Sequence, residues 1–208
     1  MMAFSVQGLQ RKVQTIGAAG IIVAAALSLV AVGPVLGGGP PATQVGLYNV
    51  TFPISNGTAQ GSSGSAGFFS MAEAAVTIDQ ANLTMVIMHI SYVDNSLSPL
   101  FNPAVTATIQ GPDNSGSATG PVPPGQTADF IIAINNDVPP NTTLQAGSPE
   151  EAIDQATPDD TNTTAGMGEW TVTLDVGAPL AGRVRPSGSI TYTITVDIQY
   201  FEGAAEKA

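Results

Sequence analysis

The chain has 208 residues, no cysteine, and a formal net charge of −11 from 16 acidic and 5 basic residues. Nucleic-acid binding needs clustered lysine and arginine, so this charge balance argues against it. The lack of cysteine excludes disulfides, thiolate catalysis and cysteine-ligated metal sites. Charged residues are only 10% of the chain, so the surface must be polar mainly through Thr, Ser, Asn and Gly, as is common outside cells.

The N-terminal segment carries an export signal. Arg11 and Lys12 precede an uncharged, largely apolar stretch over residues 13–36, and a Gly-Pro run follows it. A positive flank before an apolar run predicts that residues 1–41 send the rest of the chain out of the cytoplasm. Two alternatives stay open: a signal peptide that is cleaved off, or a hydrophobic helix that remains as a membrane anchor. In both, residues 42–208 form an extracytoplasmic domain.

The first part of that domain joins a strand-like run to a run of small residues. Gln44–Ile54 (QVGLYNVTFPI) predicts a strand, and Ser55–Gly67 (SNGTAQGSSGSAG) has no charge and no large side chain. We expect residues 55–67 to be a flexible tether that spans about 20 Å. Residues 42–54 would then be an exchangeable strand that completes its own sheet or that of the next molecule. An ordinary surface loop is the alternative.

Further along the chain, the hydrophobic pattern alternates with a period of two. Trp170–Val176 and Ile190–Tyr200 each place apolar residues on one face and mostly threonine on the other, as antiparallel strands with one wet face do. In 83–93, apolar residues fall on both faces, which predicts a central strand covered on both sides. Other predicted strands are 74–79, 104–110 and 127–135.

These strands, with 44–54, predict an all-β fold: an antiparallel two-sheet sandwich, immunoglobulin-like or jelly-roll, after an N-terminal hydrophobic helix. One short helical turn is expected at Ser148–Gln155, with Ser148 as its cap and Pro149 at the first helical position.

No residue set predicts catalysis, a cofactor or a metal ion, and we expect a protein that is not an enzyme. His89 is the only histidine, and without visible partners it is expected to be a half-exposed strand residue. The acidic region Glu150–Asp160 could bind Ca²⁺ or be a solvated loop. Arg183 and Arg185 could pair with acids of a neighbouring copy, although loop solvation is the simpler interpretation. A hydrolase with an acidic pair is a further alternative.

Asparagine sequons agree with export, because each is a glycan acceptor if the organism has the machinery. Predicted loops hold three of them, and the other two lie in or beside strands. The acceptors are Asn56, Asn141, Asn162, Asn49 and Asn82.

The export segment, the early strand and a Thr-rich domain with PPGQTADFIIAIN (Pro123–Asn135) resemble secreted biofilm and pilus subunits of the TasA/camelysin type and archaeal bundling-pilus or thread subunits. The resemblance implies a glycosylated, non-enzymatic filament subunit. The expected function is therefore a cell-surface structural protein that self-associates by β-strand addition, or joins other envelope proteins. The alternative is a membrane-anchored binding or accessory module that holds a sugar, Ca²⁺ or a partner subunit.

Overall fold

The computed structural model describes residues 45–95, 103–134, 136–159, 161, 163–177 and 188–208. The predicted export segment 1–41 lies outside these residues, as do Asp160, Asn162, Arg183 and Arg185. Within the described ranges, no helix has both the length and the apolar character that a membrane span requires.

The described chain is all-β, as predicted, with antiparallel pairing throughout. Its strands are β1 (Gly46–Thr51), β2 (Ile54–Gly67), β3 (Ser70–Ile78), β4 (Leu83–Asp94), β5 (Ala104–Gln110), β6 (Ser117–Val122), β7 (Thr127–Ala133), β8 (Thr142–Ala146), β9 (Gly168–Gly177), β10 (Ser189–Phe201) and β11 (Ala204–Lys207). One α-helix, α1 (Pro149–Ala156), lies between β8 and β9.

Two four-stranded sheets form the sandwich. Their strand orders are β2-β10-β4-β7 and β3-β9-β5-β6. The alternate apolar residues of β9 and β10 are buried in one shared core, which confirms the period-two prediction. Trp170 is completely buried there, and its indole N–H donates to the carbonyl of Gly166 at 2.8 Å. The indole N–H is thus paired, which avoids the cost of burying a free donor.

Strand β4 is central, between β10 and β7, but only one of its faces is covered. Met88 and Ile90 are completely buried, whereas Ile87 is only partly buried and Val93 is exposed. The prediction of cover on both faces was therefore wrong. Side chains of the two neighbouring strands, rather than another layer, give the outer face its partial shelter.

The helix begins where the sequence indicates. The hydroxyl of Ser148 accepts a hydrogen bond from the backbone N–H of Glu151 at 3.2 Å, and Pro149 occupies the first turn.

Asp113 and Asn114, in the loop between β5 and β6, have positive φ values of 48° and 58°. Asp and Asn tolerate that conformation better than most residues, so this loop has the expected turn chemistry.

The predicted tether 55–67 is wrong, because this segment is most of the 14-residue strand β2. It pairs with β10 along its whole length, with a bulge opposite Thr195. The strand forms through its backbone ladder, and small side chains leave room for the large ones of β10. A Cβ on Gly64, for example, would lie 2.5 Å from the hydroxyl of Tyr192. The core-facing positions of β2 are Gly57, Ala59, Ser62, Gly64 and Ala66, and they oppose Ile198, Val196, Ile194, Tyr192 and Ile190.

The substitution Gly61→Ala tests whether residues 55–67 form a paired strand or a flexible tether. A Cβ at Gly61 would collide with the backbone carbonyl of Ile194, which cannot move without shifting β10. We expect the substitution to lower the free energy of unfolding by about 1–3 kcal/mol, the usual cost of overpacking. The control is Gly67→Ala in the same strand, where the nearest atom is the Ser70 hydroxyl at 3.7 Å. If chemical unfolding gives both variants the same free energy of unfolding, residues 55–67 are better described as a flexible tether.

Candidate assembly site

A third, three-stranded sheet lies beside the sandwich sheets, with the strand order β11-β1-β8. Strand β1 is its middle strand and pairs antiparallel with both neighbours. The side chains of Asn49 and Thr143, which are directly opposite, share a hydrogen bond of 2.8 Å. The predicted early strand is thus confirmed as a strand. Its partners come from residues 142–146 and 204–207, far away in the sequence.

One face of β1 is anchored in a small apolar core of its own. Tyr48, Val50 and Phe52 are buried there with Phe201, under helix α1. The Phe52 and Phe201 rings meet edge to face, with centroids 6.1 Å apart and planes at 81°. Burying a side chain of this kind contributes about 1.5–3 kcal/mol. These three side chains therefore hold β1 in place more firmly than its two short ladders alone.

The helix and the chain turn before β11 close over this core at short range. Ala152 on α1 is completely buried. A Cβ at Gly203 would lie 2.5 Å from Ile153 of the helix and 3.3 Å from the Phe52 ring. A larger residue at Gly203 would force the Ile153 side chain to move, so the glycine permits the close approach of the helix.

Strands β1 and β2 form one ribbon with β10 and β11. The β2–β10 ladder ends at Ile54 opposite Phe201, and the β1–β11 ladder begins at Thr51 opposite Ala204. Only Phe52 and Pro53 separate β1 from β2. A hydrogen bond from the Glu202 N–H to the Pro53 carbonyl, at 3.3 Å, bridges the junction. We call the segment 46–67, which contains β1 and β2, the N-terminal arm.

The N-terminal arm is also the uncharged part of an acidic protein. No Asp, Glu, Lys or Arg occurs from Val45 to Ala72, whereas all 16 acidic residues lie at Glu73 or beyond. The outward side chains Val45 and Leu47 are 61% and 46% exposed. The arm itself therefore contributes no like charge when it approaches a second acidic molecule.

A second cluster lies on the open outer face of the sandwich. The ring of His89 on β4 sits between two carboxylates, with Nδ1 2.7 Å from Asp129 on β7 and Nε2 3.2 Å from Asp197 on β10. The hydrogen bond with Asp129, and then that with Asp197, raises the pKa of His89 above 6.5, against the opposing effect of partial burial. Both ring nitrogens are thus occupied, so neither is free to take a proton from a nucleophile.

Sequence reasoning anticipated the partial exposure of His89 but missed both partners. They lie 40 and 108 residues away in the chain and meet the histidine only through sheet pairing.

In the part of the chain that the structure describes, no group of three or more His, Asp or Glu side chains has an arrangement that could hold a metal ion. Within the acidic segment, Glu151 accepts hydrogen bonds from the Gly147 N–H and from Gln155, which ties it to the helix start.

The sequon asparagines differ in their surroundings. Asn56 is exposed on β2. The side chain of Asn49 is bonded to Thr143, and that of Asn141 accepts from the Phe52 N–H at 3.2 Å. Asn82 has a φ of 57°, and its side-chain oxygen is buried without a partner. Asn49 and Asn141 are exposed as well, whereas Asn82 is only partly exposed, and glycosylation of each remains a prediction.

No family model and no curated protein matches the chain. Among solved structures, the VP2 subviral particle of infectious bursal disease virus is similar over 74% of this chain, at 11% identity and a TM-score of 0.27. The chain covers 40% of that protein's length. A chain of desmodium yellow mottle tymovirus is similar over 82% of this chain and 94% of its own, at 14% identity and a TM-score of 0.22. Likenesses this low carry no argument about function.

The cluster of His89, Asp129 and Asp197 makes the stability of the fold depend on pH. Because the folded-state pKa of His89 is raised, its stabilising effect is fully present below about pH 6.5 and fades as the pH rises through the folded value. We therefore expect His89→Gln to destabilise the fold more at pH 5.5 than at pH 8, the interval where the imidazole charge changes. Urea unfolding of both proteins at the two pH values measures this. An equal loss at both would refute the ion-pair account.

Proposed function

We propose that the protein is an exported, non-enzymatic structural subunit that assembles with copies of itself at the cell surface. In the assembly, β1 of one copy fills the position between β8 and β11 of the next copy. The observation that carries this proposal is that β1 is the middle strand of a small sheet with its own apolar core.

Removing β1 would leave a position that only an equivalent strand can fill. The facing edges of β8 and β11 would lose their backbone partners, and the pocket for Tyr48, Val50 and Phe52 would open to water. Unpaired backbone groups and exposed apolar surface both cost free energy. A β1 strand from a second copy restores the same contacts, so exchange conserves almost all of the interaction energy.

The junction between β1 and β2 supports such an exchange. The two strands are separate elements joined by Phe52 and Pro53. Proline has a fixed φ and favours an extended chain, so it suits a hinge through which β1 leads away from its own body. The β2–β10 ladder begins immediately after the hinge and would stay in place.

Export and assembly fit together in this proposal. The predicted export segment ends only a few residues before β1, so β1 is the first strand of the exported domain. A head-to-tail contact of this kind does not close on itself and extends into a filament. The uncharged N-terminal arm reaches into an acidic neighbour without repulsion.

A designed disulfide distinguishes exchange from an intramolecular strand. The native chain has no cysteine, so Asn49→Cys with Thr143→Cys introduces one pair, at positions directly opposite in β1 and β8. Opposed strand positions lie within range of a disulfide after small adjustments. In protein assembled on the producing cell and then oxidised, we expect a ladder of covalent oligomers on non-reducing gels, because each disulfide joins two copies.

The matched control is Thr108→Cys with Thr119→Cys, an opposed pair within β5 and β6 whose hydroxyls are 3.4 Å apart. It should give only an internal disulfide and a monomer band. If the β1–β8 pair also gives monomers alone, β1 stays in its own sheet. The protein would then be better described as an anchored binding or accessory module.

A further inference from the structure

We infer that β1 enters and leaves its position through the uncovered face of the small sheet, while α1 stays in place as the fixed floor of the groove between β8 and β11. The buried side chains of β1 lie on the helix side of the sheet. On the opposite face the side chains are exposed, so no described element covers it. These exposed side chains are Leu47, Asn49 and Thr51 of β1, Thr143 and Gln145 of β8, and Glu206 of β11.

The helix is tied to β8 at its first turn. Only Gly147 and Ser148 separate the strand from the helix. The Ser148 hydroxyl accepts a hydrogen bond from the Glu151 N–H, and the Glu151 carboxylate accepts one from the Gly147 N–H at 2.8 Å. Reciprocal bonds of this kind fix the start of a helix, as in a capping box. Neither bond involves β1, so the corner between β8 and α1 does not depend on that strand.

Packing holds the helix to the β11 side of the groove. Helix α1 contacts both β8 and β11. Its residue Ile153 lies against the chain turn before β11, where a Cβ at Gly203 would be only 2.5 Å from the isoleucine side chain. This contact also leaves out β1. The helix therefore bridges the two neighbours of β1 by contacts that remain when β1 is gone.

The helix also has the width that the vacated position needs. Neighbouring strands lie about 4.8 Å apart, so β8 and β11 are about 9.6 Å apart with β1 between them. An α-helix with its side chains is about 10–12 Å across. Both strands are antiparallel to β1 and hence parallel to each other. A helix that packs against both prevents them from closing on each other after β1 has left.

An incoming strand therefore meets a groove that is already formed. It has to restore only the two ladders and the contacts of Tyr48, Val50 and Phe52. The inference deepens the proposed function and rests on it for the role of the vacated groove, whereas the movement itself takes place within a single copy. Its test needs no assembly, so it can fail while strand exchange is upheld, and it can succeed if copies never exchange strands.

Hydrogen exchange, followed by mass spectrometry on the monomeric full chain, tests the inference. The substitutions Ile153→Cys and Gly203→Cys introduce a disulfide that pins α1 to the turn before β11, at a place where the two residues meet at short range. The chain has no cysteine of its own. Relative to the reduced variant, the pin should slow exchange of the α1 amides at least about tenfold and leave that of the β1 amides, residues 46–51, within about twofold.

Equal slowing of β1 and α1 by the pin would mean that the helix has to lift before the strand leaves, and would overturn the inference. A second variant acts in the opposite direction without a bridge. Ser148→Ala removes the helix cap, so the α1 amides should exchange faster while the β1 amides keep their rate. Equal acceleration of both segments would likewise overturn the inference.

The matched control is Thr143→Val, on the uncovered face. It removes the hydrogen bond to Asn49 and touches no contact of α1. It should speed exchange of the β1 amides about threefold, the effect of one lost hydrogen bond, and leave the α1 amides unchanged. Fluorescence of the buried Trp170, the single tryptophan, confirms that each variant is folded.

Discussion

The structure depends on the pairing of the N-terminal arm with the last two strands of the chain. Residues 46–67 lie along β10 and β11, so the first described strand and the last one are held in the same ribbon. The ribbon has a different role in each of the two sheets to which it contributes strands. In the sandwich, β2 is an outer edge that contributes little apolar area. In the small sheet, β1 is the centre and carries two buried side chains, Tyr48 and Val50, and the buried Phe52 follows directly after it.

The difference between the two halves of the arm links the fold to the proposed function. β1 has a dedicated apolar core and fits only a matching position, which suits the role of a specific connector that we propose for it. β2 is held mainly by its backbone ladder with β10, so in the proposed exchange it stays in the sandwich of its own copy. In the proposed assembly, the absence of charge from β1 means that the exchanged strand itself adds no like charge to an acidic neighbour.

Sequence reasoning predicted the elements whose signal lies in their own side chains. The alternation in β9 and β10, the burial of Trp170 and the cap at Ser148 all follow from local patterns, and the structure confirms them. β2 was misread because its side chains carry no hydrophobic signal; large residues on β10 make small ones necessary opposite them. Strands β8 and β11 were missed because both are short. Strand β6 was interpreted as a loop because it contains Pro121, and proline is uncommon within strands. The partners of His89 were out of reach because strand order brings them together.

The central claim is that β1, together with Phe52, can leave its own body at Pro53 and complete the sheet of a neighbour. An electron cryo-microscopy map of the assembly taken from the producing cell tests it most directly. We expect the density of Tyr48, Val50 and Phe52 beneath each helix to continue through Pro53 into β2 of the adjacent subunit. Density that continues instead into β2 of the same subunit, at every position in the map, would contradict the account.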